Sequence, residues 1–329
     1  MQHLIQDSLS YPLITMRAFM IITALLFSAN ASISAQGKGQ KFSIQTNLEQ
    51  IDLWPSHMPN AGGNRSSELI SDKGSVTNVS IPRLIVHQPQ HPNETAILVI
   101  SGGGYAHIEL GKESTPAANW LQSEGVTAFE LIYRLPQENW SSTKVPFEDA
   151  QRAIRIIRNL AKHYGIDQHK IGILGFSAGG HLAGITSTLF DKNFYKPVDA
   201  IDSLSAKPDF AGLIYPVISM LPPNNKTHSL KSILGNQPTT QEEVAFSVEK
   251  QVNAHTPPTF LAQALDDPIS PVDNSYLMDK ALKNANIPVE MHIFQTGGHG
   301  WGLGKKGSEV SAWPELFKIW AQNSGFWKN

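Results

Sequence analysis

The chain has 329 residues, of which 41% are hydrophobic, enough apolar content for the core of one large α/β domain. Its formal net charge of -2, from 26 basic and 28 acidic residues, argues against a nucleic-acid or membrane-binding surface and favours a neutral or weakly charged ligand. The absence of cysteine excludes disulfides, thiolate metal sites and a cysteine nucleophile.

The N-terminal segment has the pattern of an export signal. Arg17 precedes the apolar stretch 18–27, and small residues follow it as a cleavage site, with cleavage expected after Ala31 or Ala35. The apolar stretch is shorter than the roughly 20 residues that a transmembrane helix needs. We therefore predict that residues 1–35 are a signal peptide and that the protein is secreted or periplasmic, with no stable membrane anchor after cleavage.

Met16 is a more natural start for this signal peptide than Met1, because the residues before it do not resemble the beginning of a signal peptide.

The rest of the chain is predicted to hold one domain. Residues 36–50 are polar enough to be a leader, and the catalytic domain is predicted over residues 51–329. Within it, residues 221–257 are rich in Asn, Pro, Thr and Gln, and they are predicted to form a short insertion over the site.

Apolar, β-branched runs alternate with amphipathic segments along this domain. The predicted strands are residues 76–86, 96–100, 126–133, 171–174, 210–217, 260–265 and 289–294. The predicted helices are residues 115–122, 146–164, 178–189, 274–285 and 311–322. This alternation predicts an α/β fold with a mostly parallel central sheet and helices on both faces, whose active site lies at the carboxyl ends of the strands.

The predicted strand at 171–174 leads into the pattern Gly175-Phe-Ser177-Ala-Gly179, which is typical of a serine nucleophile. A serine hydroxyl is exposed for attack on a tight strand-to-helix turn, and small residues two before and two after it prevent clashes there. A glycine-rich loop that only changes the chain direction is the alternative, so the partners of Ser177 decide between the two.

A serine nucleophile needs a base and an acid to orient that base, and both follow in the order Ser, Asp, His. His299 is the predicted base because it lies in a glycine-rich loop between the last predicted strand and helix. Asp267 is the preferred acid over its neighbour Asp266, and Asp273 is a further candidate that suits the N-cap of the next helix. His181 lies four residues after the serine and is assigned to local packing.

A triple glycine after the strand at 96–100 is predicted to form the oxyanion hole. The donors would be the amides of Gly103, Gly104 and Ala178. Tyr105 and Trp301 flank the oxyanion and histidine loops, so their rings are candidate sugar contacts, with packing as the equal alternative. A nucleotide-binding loop is the rival interpretation, but the spacing is not G-x-G-x-x-G and no Walker lysine follows.

These residues resemble the secreted bacterial acetylxylan-esterase-like branch of the α/β-hydrolases, neighbours of the hormone-sensitive-lipase-like and feruloyl esterases. The segments that carry the resemblance are 52–55, 101–105, 133–135, 149–153, 175–182, 205–210, 215–218, 266–268 and 298–300. The resemblance implies an α/β-hydrolase fold with Ser177, Asp267 and His299 as the catalytic triad. Ser101 departs from it, since the family more often has proline or histidine before the triple glycine.

The implied activity is a serine esterase that uses no cofactor or metal and removes acetyl, and in some members feruloyl, groups from xylan or related polysaccharides and oligosaccharides. Three alternatives stay open: a broad short-chain carboxylesterase, a serine peptidase on the same fold, and an inactive binding protein. Glycosidase chemistry needs two carboxylates facing each other across a sugar, and the adjacent Asp266 and Asp267 are better used by the triad.

Overall fold

A computed structural model describes residues 41–63 and 66–328, so the predicted signal peptide at 1–35 lies outside the described residues. The strands of the described part are, in chain order, β1 (Glu49–Asp52), β2 (Leu69–Ile70), β3 (Ser75–Thr77), β4 (Arg83–His87), β5 (Ala96–Ile100), β6 (Ile108–Glu109), β7 (Thr127–Ile132), β8 (Ile171–Phe176), β9 (Phe210–Ile214), β10 (Thr259–Ala264) and β11 (Val289–Phe294). The α-helices are α1 (Thr115–Ser123), α2 (Val145–Leu160), α3 (Ala178–Thr188), α4 (His228–Leu234), α5 (Thr240–Ala245), α6 (Asp273–Asn284) and α7 (Trp313–Asn323).

Eight strands form the central sheet in the order β1-β4-β7-β5-β8-β9-β10-β11. The pairs from β7 to β11 are parallel, whereas β4 pairs antiparallel with both β1 and β7. Every residue of β5, β7, β8, β9 and β10 is buried. Such fully buried strands require helices on both faces of the sheet. The predicted mostly parallel α/β architecture is confirmed.

Two apolar cores pack against opposite faces of this sheet. One core includes Ile154 of α2, Leu182 of α3 and Leu282 of α6. The other includes Leu121 of α1 and Phe317 of α7. Because the neighbouring strands from β7 to β11 are parallel, their carboxyl ends lie at a common edge, and the loops that follow them hold the candidate site.

A second, three-stranded sheet has the order β2-β3-β6 and was not predicted from the sequence. The predicted strand at 76–86 is wrong as one element, since it divides into β3 and β4. Asn78 adopts a left-handed backbone with φ 59°. The Glu138 carboxylate accepts from the amides of Asn78 and Val79, which ends the ladder there. This small sheet carries one wall of the cleft described below.

The start of the compact domain also differs from the prediction. Residues 36–50 were expected to be a leader, but Phe42, Ile44 and Leu48 pack against the core. The amide of Phe42 also donates to the carbonyl of Asp72 at 3.0 Å. The compact unit therefore begins at Lys41 and not at residue 51. The apolar residues, widely spaced in a polar segment, gave no periodic signal.

The remaining elements follow the predicted ones closely. α6 begins at Asp273 and its N-cap is Val272, so the prediction of Asp273 as N-cap is wrong by one residue. The predicted insertion holds α4 and α5 and lies beside the site, with Thr227 capping α4. In the described part of the chain, we find no helix that combines the length and apolarity needed to cross a membrane.

Candidate active site

Ser177 lies on the sharp turn between β8 and α3, with φ 52° and ψ −117°. This backbone is strained for a residue with a side chain. The turn brings its neighbours into close contact. A Cβ on Gly175 would lie 2.2 Å from the carbonyl oxygen of Gly179, and a Cβ on Gly179 would lie 2.3 Å from that of Ile100. Both positions therefore require glycine, which explains the sequence pattern.

The structure brings Ser177, His299 and Asp267 together from three separate loops. Ser177 Oγ lies 2.8 Å from His299 Nε2, and His299 Nδ1 lies 2.7 Å from Asp267 Oδ2. A carboxylate only accepts hydrogen bonds, so Nδ1 carries the proton. In the neutral imidazole, Nε2 is then free to accept from the serine hydroxyl.

The Asp267 carboxylate is held by three further donors. Its Oδ1 accepts from the amides of Ile269 at 2.8 Å and Ser270 at 2.9 Å, and its Oδ2 accepts from Gln263 Nε2 at 3.1 Å. Because the side chain is fully buried, these bonds fix the orientation of the imidazole through the carboxylate.

Asp266, the alternative acid, is exposed and accepts from the amide of Gly298 at 2.7 Å. It therefore fixes the loop that carries His299 without contacting the imidazole. Asp273 lies in the first turn of α6 and is bonded to neither His299 nor Ser177. His181 is buried between Tyr105 Oη at 2.8 Å and the carbonyl of Phe246 at 2.7 Å, which is the packing role assigned to it.

Gly103 and Gly104 line the same cleft as Ser177, and Ala178 directly follows the serine at the start of α3. The amides of these three residues donate to no acceptor within residues 41–63 and 66–328. Amides with no partner beside a serine hydroxyl, one of them at a helix N-terminus, form an environment that favours a negative oxygen.

Glu113 is a buried carboxyl beside this loop that was not predicted from the sequence. Its Oε2 accepts from the amide of Gly102 at 2.6 Å, and its Oε1 accepts from Tyr215 Oη at 3.0 Å. Burial raises the pKa of Glu113 to about 7, against the opposing effect of these hydrogen bonds. An acidic residue two positions before an amphipathic helix is so common on protein surfaces that the burial of Glu113 could not be predicted from the sequence.

Tyr215 extends the contact from Glu113 to the histidine loop. Its hydroxyl accepts from the amide of Gly302 at 3.0 Å, and its ring packs edge-on against His299 with the centroids 5.0 Å apart. Burial raises the pKa of Tyr215, so the hydroxyl stays protonated and donates to Glu113. Glu113 and Tyr215 together join the glycine loop at 102–104 to the loop of His299.

Ser101, the departure from the family pattern, is fully buried and holds the glycine loop in place. Its Oγ lies 2.6 Å from Ser114 Oγ and 3.0 Å from the carbonyl of Glu109, and it accepts from the amide of Ser114 at 3.0 Å. Its carbonyl accepts from Tyr133 Oη at 3.0 Å. The hydrogen bonds of the Ser101 hydroxyl thus hold the loop in place where a proline would restrict the backbone.

The two candidate sugar contacts are packed within the fold. Tyr105 is 0% exposed, so its ring has no face available to a ligand; the sugar-contact interpretation is wrong and the packing alternative is correct. Trp301 is partly buried and packs against Tyr215 with the ring centroids 4.5 Å apart. The position of Trp301 beside His299 in the sequence does not make its ring a ligand contact, because the ring packs against the core.

The site opens into a cleft of about 800 Å³. Its lining includes Ser177, His299, Gly103 and Gly104, and extends to polar residues of the small sheet and to α4. Among the described residues, no three His, Asp or Glu side chains are placed to hold a metal ion. The volume suits a ligand of the size of a small oligosaccharide or a drug-like molecule.

The chain matches a known protein family and is similar to longer curated proteins. The BD-FAE family matches residues 84–282. The chain is 40% identical over 207 residues to endo-1,4-beta-xylanase B of Butyrivibrio fibrisolvens, covering 62% of this chain and 32% of that protein. It is 31% identical over 226 residues to an acetylxylan esterase of Xylanibacter ruminicola, covering 68% of this chain and 44% of that protein. The chain thus spans less than half of each of these relatives.

A solved structure covers more of the chain. The acetyl ester-xyloside bifunctional hydrolase from Caldicellulosiruptor lactoaceticus is 36% identical and has a TM-score of 0.73, with 85% of this chain and 97% of that chain covered. The match therefore spans most of this chain and nearly all of that structure.

Proposed function

The chain belongs to the BD-FAE family and has the α/β-hydrolase fold, and on this premise we propose that it is a serine carboxylic-ester hydrolase that removes acetyl groups from xylan-type polysaccharides or oligosaccharides. The observation that carries the proposal is the chain of contacts from Ser177 Oγ to His299 Nε2 at 2.8 Å and from His299 Nδ1 to Asp267 at 2.7 Å. These contacts lie beside amides that are free to bind an oxyanion.

In the first half-reaction, Ser177 Oγ attacks the carbonyl carbon of the ester and its proton passes to His299 Nε2. The carbonyl oxygen becomes an oxyanion that accepts from the amides of Gly103, Gly104 and Ala178. When the tetrahedral intermediate collapses, the bond between the carbonyl carbon and the alcohol oxygen breaks. His299 then returns the proton to the leaving alcohol, and the acetyl group remains on the serine.

In the second half-reaction, water attacks the acetyl carbonyl and gives one proton to His299 Nε2. The oxyanion forms again in the same place, and the bond to Ser177 Oγ breaks. The serine recovers its proton from His299, and acetic acid leaves. Asp267 keeps its charge throughout and stabilises the imidazolium at each stage.

Xylan-related esters are the proposed substrates because two relatives are named an acetylxylan esterase and an acetyl ester-xyloside hydrolase, and a third a xylanase. The size of the cleft agrees with an acetylated sugar, since a simple short-chain ester would fill only part of the volume of about 800 Å³. Feruloyl esters are the second acyl class to compare.

The test is hydrolysis of p-nitrophenyl acetate, acetylated xylo-oligosaccharide, methyl ferulate and a peptide p-nitroanilide. Wild type should hydrolyse both acetyl esters, and Ser177→Ala should lose activity on both. Ser187→Ala is the matched control, since Ser187 is buried in the same helix and its hydroxyl has no partner among the described residues. Equal activity of Ser177→Ala and wild type would refute the nucleophile, and activity on the p-nitroanilide alone would favour the peptidase alternative.

A further inference from the structure

We infer that one wall of the catalytic cleft binds the hydroxyl groups of a pyranose on the alcohol side of the ester, an inference that rests on the proposed esterase function. This polar wall is formed by Lys73, Ser75, His107, Glu109 and Lys112, all of which line the same cleft as Ser177. None of these residues takes part in the proton transfers described above.

The small sheet builds the polar wall. Ser75 of β3 stands opposite Glu109 of β6 in the antiparallel ladder, and the Ser75 hydroxyl donates to Glu109 Oε2 at 3.0 Å. His107 Nε2 lies 3.1 Å from the same oxygen. The carboxylate is therefore fixed by two neighbours, which is the preorganisation that a ligand site requires.

The wall also keeps polar atoms that no described residue uses. Both partners of Glu109 bind Oε2, which leaves Oε1 as an acceptor. His107 Nδ1 and the ammonium groups of Lys73 and Lys112 have no hydrogen-bond or ion-pair partner within residues 41–63 and 66–328. A hydroxyl group both donates and accepts, so this mixture of free donors and a free acceptor suits a sugar better than an acyl methyl group.

The pKa shifts of His107 and Glu109 strengthen the imidazole as a hydrogen-bond donor and the carboxylate as an acceptor. The hydrogen bond to Glu109 raises the pKa of His107, and the hydrogen bond to His107 lowers the pKa of Glu109. The carboxylate thus remains a charged acceptor down to lower pH, and the imidazole remains a charged donor up to higher pH. Hydrogen bonds to charged groups are stronger than those between neutral groups.

The position of the wall agrees with the alcohol side of the reaction. A Cβ on Gly103 would lie 2.9 Å from His107 Cδ2, so the imidazole starts directly beside the predicted oxyanion loop. A Cβ on Gly300 would lie 3.4 Å from Lys112 Nζ, which places the ammonium beside the residue after His299. His299 is the group that gives a proton to the leaving alcohol. Val217 and Ile269 also line the cleft and suit the acyl group better, because their side chains are apolar.

The test compares Glu109→Gln with wild type on acetylated xylo-oligosaccharide, p-nitrophenyl acetate and methyl ferulate. We expect kcat/KM for the sugar ester to fall roughly tenfold more than for p-nitrophenyl acetate, because one hydrogen bond to a charged group is weakened. Glu290→Gln is the matched control. Glu290 pairs with His292 at 2.8 Å with the same two-residue spacing, but lies on β11 outside the cleft, so this variant should keep the wild-type selectivity.

The outcomes separate the two claims. An equal fall on all three substrates, or no fall on the sugar ester, would overturn the sugar subsite while leaving the esterase proposal intact. A larger fall on methyl ferulate would assign the wall to the acyl group instead, which also overturns the inference. If wild type does not hydrolyse p-nitrophenyl acetate, the proposed esterase function itself is refuted. If Glu109→Gln does not fold, Lys112→Met gives the same comparison, because Lys112 is exposed and bonded to no described residue.

Discussion

Glu113 is a buried carboxyl that could not be predicted from the sequence, and its burial makes the free energy of unfolding depend on pH. Its pKa in the folded protein is about 7, above the ordinary value of 4.5, because burial disfavours the charged form. A raised carboxyl pKa means that the folded protein binds the proton more tightly than the unfolded chain. The stabilisation is thus fully present below about pH 4.5 and is lost as pH rises towards 7.

We predict that Glu113→Gln removes this pH dependence. Relative to wild type, the free energy of unfolding of the variant should increase by roughly 3 kcal/mol between pH 4 and pH 8, which corresponds to the shift in pKa. Urea denaturation at both pH values measures it. A difference between variant and wild type that is the same at both pH values would contradict the assigned ionisation.

The adjacent aspartates give a second prediction. Asp267→Asn should lower kcat by roughly a thousandfold to ten-thousandfold, because an amide beside His299 Nδ1 no longer stabilises the imidazolium or its tautomer. Asp266→Asn is the matched control. Its side-chain oxygen can still accept from the amide of Gly298, so kcat should fall less than about tenfold. Steady-state kinetics on p-nitrophenyl acetate decides, and a larger loss in Asp266→Asn would reverse the assignment.

The residues that could be predicted from sequence are those with a local signal. Ser177 lies between two glycines that its turn requires, and His299 lies in a loop of glycines. Glu113 could not be predicted, because its role depends on Tyr215, a residue 102 positions away. For Tyr105 the sequence left a sugar contact and core packing equally open, since nothing in the glycine loop shows on which side of the backbone its ring lies, and the structure buries it.

At the level of elements, the parallel strands and long helices were predicted well because each is a continuous apolar or amphipathic run. β5 and β11 have the predicted bounds, and α1 and α3 differ by one residue. The small sheet could not be predicted. β2 and β6 have two residues each, too few for any periodicity, and they form only because other segments lie opposite them.

The contact between α3 and β5 gives a third prediction. Gly179→Ala would place its Cβ 2.3 Å from the carbonyl oxygen of Ile100 and 2.5 Å from that of Ser101, so the glycine loop that follows must move. We expect a loss of about 1–3 kcal/mol in stability together with a fall in kcat. Urea denaturation and kinetics measure these, with Ser187→Ala as the control in the same helix. Wild-type stability and kcat in Gly179→Ala would contradict the close packing.

On the scale of the whole molecule, the sheet brings together loops that lie far apart in sequence. Ser177 follows β8, Asp267 follows β10 and His299 follows β11, and all three meet because parallel strands end at the same edge. The alternation of strands and helices predicted that edge. The shape of the cleft could not be predicted, because it is formed by the insertion and by the small sheet.

Export of the protein is a prediction about the chain as a whole. We expect the mature protein to begin after Ala31 or Ala35, because an apolar stretch and small residues precede these positions. N-terminal sequencing of protein recovered from the culture medium or periplasm measures it. A mature form that still carries Met1 would contradict the signal peptide.

The central claim is that Ser177 carries the acyl group, and covalent trapping tests it most directly. Diethyl p-nitrophenyl phosphate reacts with an activated serine and leaves a stable diethylphosphoryl ester, because the phosphorylated serine is not readily hydrolysed. Mass spectrometry of the digested protein should find this group on Ser177 of wild type and of Ser187→Ala, and on no residue of Ser177→Ala. Labelling of another residue at the same rate, or an unlabelled Ser177 in active wild type, would contradict the account.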